Sequence, residues 1–177
     1  QGYWNKPEAT ADALEPDGWF HSGDLGTFDG PFLKITGRKK DIIVTAGGKN
    51  IAPQNIESKL KSSCPIMSQV VVHGDKRKFL SALVTLDEAA LLEWAATHGL
   101  SGTYAELAKH PRVEEEVQKT FDSVNATLNS YETIKKFGIL DQDFTVESGE
   151  LTPSLKVKRN VVSANYKELY DAFYPPN

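Results

Sequence analysis

The chain changes character near residue 38, and that change limits what it can fold into. Before it lie two short glycine-rich pieces with aromatics, Gly2-Tyr3-Trp4-Asn5 and Gly18-Trp19-Phe20-His21-Ser22-Gly23-Asp24-Leu25-Gly26. They flank a helix expected from Pro7 to about Leu14, with Pro7 suited to the first helical position and Asn5 near enough to cap it. Phe32 to Thr36 alternates in strand fashion, and Asp41 to Thr45 carries the β-branched run Ile42-Ile43-Val44. Between them stands Gly37-Arg38-Lys39-Lys40. Five Lys/Arg against one Asp fall between Lys34 and Lys49, a basic concentration in a chain of net charge -4, so this segment is a candidate anion site.

From Asp41 onward the pattern is that of a compact mixed unit of helices and strands. Ala46-Gly47-Gly48-Lys49-Asn50 is a tight loop, because adjacent glycines reach backbone angles closed to other residues. Pro53 opens a helix with Ile56 and Leu60 at four-residue spacing. Ile66 to His73 and Phe79 to Leu86 read as two strands joined by Gly74-Asp75-Lys76-Arg77-Lys78. Asp87 caps a helix through Leu91, Leu92 and Trp94 that ends near Gly99. Val113, Val117, Phe121, Val124 and Leu128 form a long amphipathic stripe, Phe137 to Leu140 a further strand, and Asn160 to Phe173 a final helix. Asp141, Asp143, Glu147 and Glu150 make an acidic stretch, which Lys156, Lys158 and Arg159 reverse at once.

Composition removes several classes of function. With 177 residues, 40% hydrophobic and 25% charged, the chain fits one or two small globular domains with a real core. No stretch approaches the roughly 20 apolar residues that cross a bilayer. Mild acidity argues against a nucleic-acid partner, which needs Lys and Arg to neutralise phosphate. The single cysteine, Cys64, forms no internal disulfide and suits a reducing compartment such as the cytoplasm. His21, His73, His98 and His110 are scattered without ligand spacing, so no metal site is expected. Ser22 lacks the strand-turn-helix frame of a nucleophile elbow, and the Gly47-Gly48-Lys49 loop lacks the spacing of a phosphate loop. A first residue of Gln points to a piece of a longer protein.

Three residues remain with two readings each. Asp24, in a Ser-Gly-Asp-Leu-Gly turn, is either a plain turn aspartate or a carboxylate accepting hydrogen bonds from two ribose hydroxyls. Arg38 either holds phosphate or ribose oxygens or is a solvated surface charge. Lys156, after Thr152-Pro153-Ser154, is either a surface lysine or an ammonium delivered to an anion by an ordered loop.

Order and spacing decide among these. Gly2 to Glu8, Gly18 to Gly26, Ile35-Thr36-Gly37-Arg38-Lys39-Lys40-Asp41, Gly47-Gly48-Lys49-Asn50-Ile51-Ala52-Pro53 and Leu151-Thr152-Pro153-Ser154-Leu155-Lys156-Val157-Lys158-Arg159 resemble the closing motifs of the adenylate-forming superfamily. That superfamily includes acyl-CoA synthetases, luciferases and the adenylation domains of peptide synthetases. Leu128 to Phe137 and Gly149 to Pro153 further resemble bacterial long-chain fatty-acid-CoA ligases.

The resemblance implies an α+β fold, a small mixed sheet flanked by helices, forming the C-terminal lid and preceded by the last strands of the large N-terminal domain. The implied division is residues 1–37 for the end of the N-terminal domain, 38–41 for the hinge and 42–177 for the lid. Asp24 matches the aspartate that binds the ribose of ATP and AMP, and Arg38 the arginine that contacts ribose and phosphate. Lys40 falls at the hinge. Gly47, Gly48 and Lys49 match the loop that borders the CoA pantetheine path, and Lys156 the lysine required for adenylation. Leu155 stands where the family commonly has Gly before that lysine, which keeps Lys158 as a second contender.

The implied substrates are a long-chain fatty acid, ATP and CoA. Mg2+ would be held mainly by the N-terminal domain, whose phosphate-loop and adenine motifs are absent from this sequence. The chain is therefore expected to be inactive alone, to partner its own N-terminal domain, and to work in the cytoplasm, with peripheral contact at the inner membrane as a further implication. Two alternatives stand beside this reading: an adenylation domain that loads a carrier protein, and an independent nucleotide- or protein-binding module.

Overall fold

A computed structural model describes residues 2–174, which divide into two compact units, one ending at Ile42 and the other beginning at Ile43. In the first unit, helix α1 (Pro7–Ala13) starts at Pro7 as expected, but Lys6 occupies the cap position and makes no side-chain capping bond. Asn5 instead takes a left-handed φ of 57°. The Thr10 hydroxyl ties the chain together there, accepting from the Tyr3 amide at 2.9 Å and donating to the Lys6 carbonyl at 2.9 Å.

Strands β1 (Asp24–Asp29) and β2 (Phe32–Arg38) form an antiparallel hairpin with a bulge between Leu25 and Gly26. β1 lies in a segment expected only as a glycine-rich piece, because Asp24-Leu25-Gly26-Thr27-Phe28-Asp29 has little β-branched content and becomes a strand by pairing with β2. Two strands enclose no core. Phe28, Phe32, Leu33 and Ile35 are accordingly exposed.

The second unit opens with two short antiparallel strands, β3 (Ile43–Val44) and β4 (Asn50–Ile51), followed by α2 (Pro53–Ser63). The run Ile42-Ile43-Val44 thus contributes only two strand residues. The main sheet contains β5 (Met67–His73), β6 (Leu80–Leu86) and β7 (Ile134–Ile139), in the order β5-β6-β7. β5 and β6 pair antiparallel across the expected turn, whereas β6 and β7 run parallel. β7 begins three residues before the expected strand at Phe137 because Lys135 and Lys136, exposed within it, interrupt the apolar run that periodicity follows.

Between β6 and β7 lie α3 (Glu88–Thr97), α4 (Tyr104–Ala108) and α5 (Pro111–Asn125). Asp87 caps α3 as its sequence position suggests, accepting from the Ala90 amide at 2.8 Å. The five-residue α4, too short to show a period, is framed by a capping box between Thr103 and Glu106. The expected final helix is instead two, α6 (Arg159–Asn165) and α7 (Lys167–Phe173), broken at Tyr166 with φ -110° and ψ 24°.

Strand alternation distributes the core onto both faces of the sheet. Val70, Val72, Ala82 and Val84 face a cluster with Ile56 and Leu60 of α2 and Val113, Val117 and Phe121 of α5. Val71 and Leu83 face the other way, toward Leu140, Phe144, Leu151, Val162 and Tyr170. All seven residues of β6 are buried, as a central strand covered on both faces requires. The fold is α+β, a small mixed sheet flanked by helices.

Candidate functional site

In the first unit, Asp24 and Arg38 are directly opposite in the hairpin register, so residues 14 apart in sequence become cross-strand neighbours. Their side chains approach to 3.5 Å between Arg38 Nε and Asp24 Oδ1. Gly23, at φ 74°, turns the chain into β1, and its carbonyl accepts from the Lys39 amide at 2.8 Å. The Asp24 amide donates to the Ser22 hydroxyl at 3.2 Å. A carboxylate and a guanidinium are thereby presented side by side, one able only to accept and the other only to donate. That combination complements a sugar-phosphate, whose hydroxyls donate and whose phosphate oxygens accept. Lys40 is exposed in a single 3-10 turn, Lys39–Asp41, just before the boundary between the units.

In the second unit, the Gly47-Gly48-Lys49 loop joins β3 to β4 and is organised by Thr45, which is buried. The Thr45 amide donates to the Lys49 carbonyl at 3.0 Å, and its own carbonyl accepts from the Gly48 amide at 2.8 Å. The Lys49 amide donates to the Thr45 hydroxyl at 3.2 Å. Gly48 takes φ 73°, the left-handed conformation that favours glycine, while a Cβ there would meet no atom within 4 Å. Its requirement is conformational rather than steric. The Lys49 ammonium lies 5.3 Å from the centre of the Tyr131 ring. Backbone bonds from Ala46 to Arg77 and from Lys76 to Val44, at 2.9 and 2.8 Å, join this loop to the basic β5-β6 turn.

Lys156 is carried by a separate small hairpin. Leu151 and Val157 form an isolated antiparallel bridge, and the Thr152 amide donates to the Lys156 carbonyl at 2.8 Å. The Leu155 amide donates to the Thr152 carbonyl at 2.8 Å, and the Lys156 amide to the Thr152 hydroxyl at 3.0 Å. This is a three-residue hairpin loop, whose last position takes left-handed angles and usually holds glycine. Leu155 occupies it at φ 58°, with 66% of the residue exposed. The geometry thus gives a physical reason for a glycine before the lysine in the family pattern, and shows that Leu155 accepts that backbone at a steric cost.

Lys156 projects from the hairpin into solvent and has no ion-pair partner among the described residues. Lys158 is half-buried at the hairpin's foot, in the N-cap position of α6 without a side-chain capping bond, and its amide donates to the Glu150 carbonyl at 2.7 Å. Arg159 follows, reaching Glu57 of α2 through an ion pair and the Val72 carbonyl of β5 at 3.3 Å. Glu57 also accepts from the Val72 amide at 2.7 Å.

Sequence reasoning singled out Asp24, Arg38, Lys40, the Gly47 loop and Lys156, but not Thr45, Tyr131 or the buried Glu150. Only the Thr45 hydroxyl, four residues before Lys49, left a local signal. Among the described residues no group of three or more His, Cys, Asp and Glu could hold a metal ion.

Residues 40–176 match the family model of the AMP-binding enzyme C-terminal domain, and the chain belongs to that family of adenylate-forming enzymes. The chain is 44% identical over 176 residues to the long-chain-fatty-acid–CoA ligase FadD15 of Mycobacterium tuberculosis, matching over 98% of its own length and 29% of that protein. The adenylation domain of a carboxylate reductase from Mycobacterium chelonae superposes with TM-score 0.74 at 31% identity, covering 98% of this chain and 26% of that one. The A domain of a carboxylic acid reductase from Segniliparus rugosus, in complex with AMP and a co-purified carboxylic acid, gives TM-score 0.72 at 29% identity, with the same coverage. The chain therefore spans under a third of the length of the relatives it matches.

Proposed function

We propose that this chain is the C-terminal part of an AMP-forming long-chain fatty-acid-CoA ligase. The observation that carries the reading is the Leu151–Val157 hairpin, which presents an exposed Lys156, without an ion-pair partner among the described residues, in a chain 44% identical to a ligase of that class. In the first step a fatty carboxylate oxygen bonds to the α-phosphorus of ATP, and the bond to pyrophosphate breaks. Two anions meet there, and the Lys156 ammonium offsets their charge as it develops. Asp24 accepts from the ribose hydroxyls and Arg38 donates to ribose and phosphate oxygens. In the second step the CoA thiol loses its proton and its sulfur bonds to the acyl carbon, releasing AMP. The Gly47-Gly48-Lys49 loop borders the pantetheine arm, where a residue without Cβ permits close backbone approach. Rotation at Lys40 exchanges the Lys156 hairpin for this loop between the steps.

In the full-length enzyme, Lys156→Ala should abolish acyl-adenylate formation, measured by pyrophosphate exchange, and leave thioester formation from supplied acyl-adenylate largely intact. Equal loss in both steps would make Lys156 structural. The likeness to carboxylate reductase adenylation domains supports a second reading, transfer to a carrier protein in place of CoA. Supplying the full-length enzyme with CoA or with a phosphopantetheinylated carrier separates the two by which thiol becomes acylated.

A further inference from the structure

We propose that Glu150 is a positioning residue for Lys156, fixing the hairpin that aims the ammonium; this rests on the reading of Lys156 as the adenylation lysine. Glu150 is 3% exposed and stands at the foot of the hairpin's incoming leg. Its carboxylate accepts from the Ser148 hydroxyl on one oxygen and from Asn165 Nδ2, at 2.9 Å, on the other. Its backbone carbonyl accepts from the amide of Lys158, the foot of the outgoing leg, at 2.7 Å. Asn165 is the last residue of α6, the helix into which that outgoing leg runs. One residue thus joins both legs of the hairpin and the far end of the helix behind it.

Such an anchor answers a specific mechanical need. Leu155 is held at φ 58°, and a non-glycine residue keeps such angles only where its surroundings over-determine them. The loop's own bonds run between Thr152 and Lys156, inside the hairpin; burial of Leu151 against Val71 and Leu83 seats the incoming leg on the sheet without directional bonds. Glu150 adds the directional bonds that fix its orientation. Burial opposes ionisation of its carboxyl, but hydrogen bonds from Ser148 and Asn165 prevail and hold it below the ordinary carboxylate range. An apolar residue could fill the same volume but would make neither of these directional bonds.

The experiment compares the two half-reactions in the full-length enzyme for Lys156→Ala, Asn165→Ala and Glu150→Met, the last of which keeps the volume and removes both bonds. Loss of folded protein lowers both steps together, so the ratio of adenylation to thioester formation reads position and not stability. Asn165→Ala and Glu150→Met are expected to lower adenylation about ten- to a hundredfold, the effect of displacing a catalytic group by an ångström or so, and to change the thioester step by less than about twofold. If Lys156→Ala is selective for adenylation while the other two variants leave the ratio unchanged, the Glu150 proposal fails alone. If Lys156→Ala itself lowers both steps equally, the reading of Lys156 fails and takes the proposal with it.

Discussion

At position 155 the usual order of alanine and glycine should be inverted. In most structured positions glycine is less stable than alanine by about 0.5–1 kcal/mol, because it loses more backbone freedom on folding. The left-handed backbone of Leu155, φ 58°, adds an opposing contribution, since any Cβ there meets the following carbonyl at a cost of about 1–2 kcal/mol. The difference favours Leu155→Gly over Leu155→Ala by about 0–1.5 kcal/mol, centred on about 0.75 kcal/mol. Both variants lack the leucine tail, so its loss cancels in the comparison; with 66% of the residue exposed, that loss is itself below about 1 kcal/mol. Urea unfolding followed by circular dichroism gives the comparison directly, with an unchanged m-value as the condition for reading midpoints as stability. Ser154, whose φ is not positive, provides the control, where alanine should be the more stable of the two. Finding Leu155→Gly less stable than Leu155→Ala would refute the strain and, with it, the explanation of the family's glycine.

Other perturbations address different parts of the second unit. Arg159→Ala should destabilise it by about 3 kcal/mol in urea melts, the low end for breaking a buried pair, because the arginine side chain keeps 24% of its surface in water. Burial lowers the His73 pKa below its ordinary 6.5, with Arg77 adding to the effect and Asp75 and Asp171 opposing it. The unfolded chain therefore binds the proton first as pH falls, so stability should be greatest above pH 6.5 and decline below it, a decline that His73→Gln should reduce. Gly48→Val forces a β-branched residue to φ 73° and should depress thioester formation more than adenylation in the full-length enzyme; the reverse pattern would contradict the placement of that loop.

Features that depend on neighbours in sequence were legible. Pro53 with Ile56 and Leu60, Asp87 at its cap, the β5-β6 turn and the stripe from Val113 to Val124 each carry their signal within one or two helical turns or one hairpin. Pairing that leaves no local pattern hid the rest. The first residues of β7 are strand because β6 lies beside them, and β1, poor in β-branched residues, is strand because β2 pairs with it. Glu150 read as one acid in an acidic stretch, since Asn165, which explains its burial, is 15 residues away. Motif order placed Asp24 and Arg38, but their facing register follows from the hairpin alone. Leu155 was visible as a departure from a pattern; only its backbone angle says what the departure costs.

The parallel pairing of β6 with β7 also sets the timing of folding. β5 and β6 can close as a hairpin within microseconds, but β7 is separated from β6 by residues 87–133. At about 5–20 residues per second of synthesis, β7 emerges several seconds after β6 is complete. Throughout that interval β6, apolar along most of its length, presents an unpaired edge in a nascent chain. Helices α3 and α5 cover one face of β6 and not its edge, so early settling of the helical segment buries apolar side chains in that interval while the backbone edge waits for β7.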